Sequence, residues 1–434
     1  MEGRNKFEVS PRRQRRAGVV ALFVLGAALA LALVSASSGS TGSKQTTAAK
    51  PKPSVIISNG KGYGEVYAAK RSTLAHTLFK AKLLPKDEMS RNIALAGLGR
   101  ADRKVNEALA LKCWKNNGCD TGTGGKLSVA YLEQFGENVY RQMSKMEFIL
   151  QALTYPQVGK IIYSSARVDF NKAFADWKAA IAQGVDLIVT YPDFGDAMIP
   201  VMKQATDAGI PVATYAWGYV SDPGKNYLTV VGEDTCALGK TYAYVMNNQV
   251  KSGDIAFLGG FPGNPLSEGW QKCEDPALRS SIDVVAKEPT NWDPSKVQQV
   301  VAGILAKNPD VKGWSYEYGL GMAQGGYAAY KAAGIPFNTV LTLRTDDVGM
   351  GCLFNQLKNP KLQMYYYTSG NTQIRVAFTA AMMKLKGATI PPKIVFPIEL
   401  QNQRVRDSCV KGYPQEASAT SLISLNLLKK MYPS

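Results

Sequence analysis

The sequence predicts an α/β protein made of two doubly wound lobes, each a mostly parallel sheet with helices on both faces. Three observations carry this. Short runs rich in Val, Ile, Leu and Tyr alternate with amphipathic helical stretches from Lys126 onward. The alternation runs once to Ala216 and starts again at Tyr227. With 434 residues the chain also exceeds what one core usually holds. Strands separated by helices of this length pair in parallel, because a parallel connection needs a crossover.

In the first run, Leu127–Tyr131 reads as a buried strand and Asn138–Leu153 as a helix with Val139, Met143, Met146, Ile149 and Leu150 on one side. Lys160–Ser164 is the next strand. Its helix, Asp169–Gln183, spaces Phe170, Phe174, Trp177 and Ile181 along one face and is ended by Gly184. Asp186–Thr190 is a strand, and Asp196–Ala208 a helix with Pro200 in its first turn, where a missing N–H costs least. Gly209 stops it before the strand Ile210–Ala216.

The second run opens with the strand Tyr227–Val231 and the helix Asp234–Asn247. Asp254–Leu258 leads through a Gly-Gly-Phe-Pro-Gly-Asn loop to a short helix ending at Trp270. Ile282–Ala286 precedes the helix Asp293–Lys307, where Asp293 is the cap and Pro294 the first helical residue. Val311–Tyr316, Met322–Ala333, Asn338–Leu343 and Lys361–Tyr367 continue the alternation.

Ahead of this body, Met1–Ala36 joins a cluster of six basic residues to the uncharged apolar stretch Ala17–Val34 and then Ser35-Ala36-Ser37. A positive flank, an apolar run and small residues describe a secretory signal peptide. The stretch also reaches the lower limit for a spanning helix, so an uncleaved anchor is the alternative. Residues 37–53 are a Ser/Thr/Lys/Pro spacer, and 54–125 an N-terminal extension with a helical stretch over Arg91–Leu111. Six cysteines suit an exported, disulfide-bonded protein. Cys113 and Cys119 bracket a turn at Asn117-Gly118 and are expected to bridge. Cys236, Cys273, Cys352 and Cys409 leave three pairings open.

Composition excludes several chemistries. A single histidine, His76, removes a multi-histidine metal site. Gly122-Thr123-Gly124-Gly125-Lys126 lacks both the first glycine and the Ser/Thr of a phosphate loop. Glu133 with Glu137, or Asp346 with Asp347, would be the carboxylate pairs of a glycosidase. Acidic residues at strand ends serve more often as caps or hydroxyl acceptors, so no enzyme activity is read from them. The net charge of +17 is scattered, without the basic stripe that nucleic acid needs. No nucleic-acid partner and no cofactor or metal is expected.

In parallel sheets, ligands sit outside the C-terminal ends of the strands. The loops there supply the candidate ligand residues Gln134, Phe135, Asp193, Trp217, Asn264, Glu317, Tyr318, Asp346, Ser369 and Asn371.

Ile181–Val189 with Ala208–Thr214, and then Gly232–Gly239, Trp292–Lys296, Leu305–Val311 and Ala329–Gly334, resemble in order and spacing the type I periplasmic sugar-binding proteins of ABC importers, the ribose-binding pattern above all. The resemblance spans Leu127–Gln403. It implies two lobes joined by a three-segment hinge with ligand clamped between them, the crossings falling near Tyr219–Asp222, Thr368–Asn371 and Phe396–Ile398. The first lobe would then hold 126–220 and 370–396, and the second 221–369 and 397–434. It further implies a monomeric exported receptor, periplasmic or at the cell surface, delivering a sugar or polyol to the importer's membrane subunits; presenting the solute to a membrane receptor or kinase is the alternative. The sequence departs from the family where an Asp-Arg pair grips sugar hydroxyls, having Ala216-Trp217, and where Asn-Asp is usual, having Glu317-Tyr318. Those departures suggest a cleft with fewer charged donors and more aromatic surface, stacking a ligand on Trp217 or Tyr318.

Overall fold

Strands that are apolar on both faces need cover on both, and helices supply it here. The computed structural model describes residues 56–58, 84–215, 220–344, 347–367, 370–402, 409, 412–418 and 421–433. The chain divides into two units, Met1–Pro51 and Lys52–Ser434, and every described residue belongs to the second. The expected export signal, with Ala17–Val34, and the spacer lie outside the described residues. Among the described residues, no helix is long and apolar enough to cross a membrane.

The strands are β1 (Ile56–Ser58), β2 (Gly118–Asp120), β3 (Leu127–Glu133), β4 (Val158–Ser165), β5 (Leu187–Tyr191), β6 (Val212–Tyr215) and β7 (Thr229–Glu233), followed by β8 (Gly253–Gly259), β9 (Ile282–Pro289), β10 (Gly313–Tyr316), β11 (Val340–Leu343), β12 (Gln363–Tyr367), β13 (Lys393–Phe396) and β14 (Glu399–Asn402). Helices of six residues or more are α1 (Glu88–Gly99), α2 (Glu107–Lys115), α3 (Val139–Leu153), α4 (Phe170–Ala182), α5 (Ile199–Asp207) and α6 (Thr235–Gln249), then α7 (Pro265–Glu274), α8 (Pro294–Lys307), α9 (Tyr327–Ala332), α10 (Val348–Leu357), α11 (Gln373–Leu385) and α12 (Leu425–Met431).

Two seven-stranded sheets result. The first runs β13-β7-β6-β5-β3-β4-β2 and the second β1-β14-β12-β11-β10-β8-β9. Among the described strands, only the pairs β2–β4 and β12–β14 are antiparallel. Capping follows the sequence closely. Asp293 accepts hydrogen bonds from Ser295 and Lys296 N–H at the start of α8, and Asn138 and Asp169 cap α3 and α4 in the same way. Leu132, Trp177, Ile188 and Met202 are buried in a core on one side of the first sheet.

The first crossing differs from expectation. β7 pairs in register with β6 and β13, so the strand placed in the second lobe belongs to the first. The chain leaves after Glu233, and α6 packs on α7 in the second lobe. Periodicity identifies a strand but not the sheet that takes it. Ser221-Asp222-Pro223-Gly224 is therefore not a hinge but a turn inside the first lobe, where Asn226 N–H donates to Asp222 O and Gly224 N–H to Tyr227 O. The chain returns from β12 through Gly370–Thr372 to α11, which packs on β5, β6 and β7. It crosses a third time between β13 and β14, at Pro397-Ile398.

Both ends of the chain depart from a simple appendage. The extension gives an edge strand to each sheet, β1 to the second and β2 to the first. The single helical stretch over Arg91–Leu111 is two helices, broken where Arg103 turns extended and Asn106 caps α2. The C-terminal segment was placed with the second lobe, and its start is there: Val348 and Gly349 N–H donate to Ala417 and Gln415 O. Its end returns to the first lobe, where Ser421 Oγ and Leu422 N–H donate to Glu147 on α3 and α12 packs on α2. The disulfides are Cys113–Cys119, Cys236–Cys273 and Cys352–Cys409.

Candidate ligand-binding cleft

Residues just beyond the C-terminal ends of the strands of both sheets face one cleft of about 550 Å³, counted out to its mouth. The first lobe contributes Asn138, Val139, Tyr140, Arg141 and Tyr191. The second contributes Leu266, Trp292, Glu317, Tyr318, Arg344, Asp347 and Glu416.

On the first wall, the Asn138 cap fixes the start of α3 by accepting from Arg141 N–H at 3.0 Å. The Arg141 side chain, 4% exposed, places Nη2 2.8 Å from Asp193 Oδ1 and Nη1 3.2 Å from Glu133 Oε1. Its guanidinium lies 3.6 Å from the Tyr191 ring centroid. Burial opposes the charge, but Asp193 and Glu133 outweigh it and hold the group protonated. Glu133 is itself fixed by Gln134 and Phe135 N–H, both at 3.0 Å, and by the Tyr131 hydroxyl. The Asp193 carboxyl is pushed up to about 7, by burial above all, against the pull of Arg141.

On the second wall, Glu317 gathers the donors. Gly260 N–H at 3.0 Å, Trp292 Nε1 at 3.1 Å, Ser267 Oγ and Trp270 Nε1 all bond to it. Burial raises its pKa, and Ser267, Trp270, Arg344 and Trp292 pull it back. The Trp292 indole is thereby aimed at the cleft, and it lies so close to Gly260 that a Cβ there would stand 2.2 Å from the ring. Arg344, at the end of β11, pairs with Glu233 at the end of β7, a buried ion pair between the lobes beside the first crossing. Gln373 Nε2 donates to the other Glu233 oxygen at 3.2 Å.

The lobes also meet through aromatic rings beside the cleft. Phe135 stacks on Phe261 with centroids 6.0 Å apart and meets Trp292 edge to face. Asn264 helps to lower the Asp193 pKa, yet neither Asn264 Nδ2 nor Asp193 Oδ2 completes a hydrogen bond.

The ten candidate residues fall in different places. Glu317 and Tyr318 line the cleft, Phe135 packs on the cleft-lining Trp292, and Asp193 holds Arg141. Gln134 is buried in the loop scaffold, its Oε1 accepting from Phe194 N–H at 3.0 Å. Asn264 caps α7, accepting from Leu266 and Ser267 N–H. Asn371 Nδ2 ties the second crossing to α3 through Tyr140 O and Ser144 Oγ. Trp217, Asp346 and Ser369 lie outside the described residues.

Sequence reasoning missed Arg141, Arg344, Trp292, Asp347 and Glu416. The expected loss of charged donors is corrected: two guanidiniums stand in the cleft, supplied from positions other than the family's Asp-Arg pair. Arg344 directly follows a predicted strand and was findable. Arg141 hid in the first turn of a helix and Trp292 in a segment read as a cap. Nothing in the sequence pointed to Glu416.

Two doubly wound lobes around a polar and aromatic cleft have the architecture of a type I periplasmic binding protein. A family profile described as "Periplasmic binding protein domain" matches residues 130–389, and the chain belongs to that family. The chain is 24% identical over 249 residues to the ribose import binding protein RbsB of Bacillus subtilis (strain 168), an alignment covering 56% of this chain and 78% of that one. Among solved structures, an ABC transporter solute-binding protein from Mycobacterium smegmatis with bound glycerol shares the fold with a TM-score of 0.58 at 18% identity, covering 68% of this chain and 100% of that one. The fructose-binding periplasmic domain of a hybrid two-component system does so with a TM-score of 0.56 at 20% identity, covering 64% and 91%.

Proposed function

We propose that this protein is an exported receptor that clamps a small sugar or polyol between its lobes and delivers it to the membrane subunits of an ABC importer. The observation that carries the reading is the placing of polar and aromatic side chains from both lobes around one cleft: Arg141 and Tyr191 on one side, Arg344, Glu317, Trp292 and Tyr318 on the other. Trp292 and Tyr318 offer flat faces to the C–H surface of a sugar ring. The carboxylates and guanidiniums offer partners to its hydroxyls. Ligand bridging both walls favours the closed form by its differential affinity for the two states, and an importer can read that shape. The basic, apolar N-terminal segment and the exported family support secretion, with Ala17–Val34 either cleaved or kept as an anchor. No catalytic step is assigned, and the receptor acts as a monomer.

Mass spectrometry of the small molecule that co-purifies with the folded chain, followed by calorimetry and small-angle scattering with that compound, tests the reading. A polyhydroxy compound that binds and lowers the radius of gyration supports it; tight binding with no compaction rejects the receptor mechanism. The second reading, a sensory module presenting ligand to a membrane receptor or kinase, is favoured by the fold shared with a two-component sensor domain. Uptake of radiolabelled ligand by cells with and without this chain separates the two, since a sensor alone leaves uptake unchanged.

A further inference from the structure

The charge around the cleft bears on which polyols it can take, and Glu416, one of the residues that set it, stands outside the matched residues 130–389. Both guanidiniums are already matched, Arg141 by Glu133 and Asp193 and Arg344 by Glu233. The second wall then adds Glu317, Asp347 and Glu416, so among the described residues carboxylates outnumber guanidiniums around the ligand space. Asp347 Oδ2 accepts from Leu320 N–H at 2.8 Å. Glu416 is half-buried and takes no hydrogen bond or ion pair from any described residue.

Glu416 is firmly held. The residues on either side of it, Gln415 and Ala417, accept from Gly349 and Val348 N–H at the start of α10, and Ser418 pairs with Asp347. The Cys352–Cys409 disulfide fastens the same segment to α10. Gly349 allows this close approach, since a Cβ there would stand 2.6 Å from Leu320 Cδ1 and 2.9 Å from Gln415 Cβ. On the opposite wall, Arg141 lines the cleft, and its Nη1, buried 3.2 Å from Glu133 Oε1, completes no hydrogen bond.

Resting on the polyol reading, we propose that Glu416 is a specificity-determining residue that lets the cleft take neutral polyhydroxy ligands and refuse their carboxylated or phosphorylated counterparts. A hydroxyl can accept from Arg141 and donate to Glu416. A carboxylate or phosphate monoester has no proton to donate and meets an unpaired like charge. At about 5 Å and an effective dielectric of about 20, one such repulsion exceeds a factor of ten in affinity.

Calorimetry on the full chain with ring-matched pairs tests this: D-glucose against D-glucuronate, D-galactose against D-galacturonate, D-ribose against D-ribose 5-phosphate, and myo-inositol against its 1-phosphate. The neutral member of at least one pair should bind, with its acidic partner at least tenfold weaker. Glu416→Gln, which keeps shape and removes charge, should narrow that gap about tenfold with unchanged thermal unfolding. An acidic member binding as tightly as its neutral partner overturns the charge proposal alone, as does a gap that Glu416→Gln leaves intact. Binding of no member of any pair overturns the polyol reading and the proposal with it.

Discussion

Phe135 of the first lobe meets the Trp292 indole of the second edge to face, with ring centroids 4.9 Å apart. The contact joins the two lobes beside the cleft, so it exists only while they are together. An aromatic pair of this kind contributes about 1 kcal/mol beyond its buried area. Phe135→Ala should therefore populate a wider state: the ligand-free variant should show a larger radius of gyration by scattering than the parent protein. Equal radii would mean that the ring contact does not hold the lobes.

Glu147 joins three pieces of chain. It pairs with Arg375 of α11 and accepts from Ser421 Oγ at 2.8 Å and Leu422 N–H at 2.6 Å. Glu147→Ala strands a buried guanidinium and unfastens the C-terminal segment together. A loss of about 3–5 kcal/mol in urea unfolding is expected, with cleavage by trypsin at Lys429 or Lys430 in the folded variant.

Glu274 is buried in the second lobe, with Oε1 accepting from Ser315 Oγ at 2.6 Å and Oε2 without a partner. Burial raises its pKa well above the ordinary carboxylate range, with Ser315 pulling the other way. The folded chain thus keeps a proton that the unfolded chain has released, and this contribution to stability is full below the unfolded pKa and lost as pH rises toward the folded one. Glu274→Gln lacks that dependence. Urea midpoints at pH 5 and pH 8 should show the difference between variant and parent moving in the variant's favour at pH 8.

Each disulfide closes a loop of different length, the partners standing 6, 37 and 57 positions apart in sequence. On the chain-entropy account, losing Cys113–Cys119 costs about 2 kcal/mol and losing Cys352–Cys409 about 4 kcal/mol. Paired serine substitutions followed by urea unfolding should give that order. All six cysteines should resist alkylation until reductant is added.

Local signals were the legible ones. The Asp293-Pro294 start of α8 and the apolar strands β3 and β5 stand where sequence spacing puts them, because caps and periodicity act within a few residues. The assignment of β7 failed because sheet membership is decided by partners, here β6 and a strand more than 160 residues further on. The helix predicted over Met322–Ala333 contains a π-helical turn, Met322–Gly326, where Gly325 packs against the Pro294 and Gln298 backbone. In the cleft, loops after strands were readable and their side chains were not. Gln134 and Asn264 sit in such loops with their carbonyl oxygens taken by backbone donors, whereas Arg141 enters from a helix.

The return of the C-terminal segment to α2 and α3 has a consequence in time. Glu147 waits for Ser421 and Leu422, which lie 274 and 275 positions further along the chain. While the chain emerges from its N-terminus, the groove that Leu422, Ile423, Leu427 and Leu428 will fill stands open. Contacts this distant in sequence form late and leave apolar surface exposed in the interval. The first lobe, though begun early, is finished only by residues 421–431, so a chain interrupted before them carries an open seam that proteases can attack.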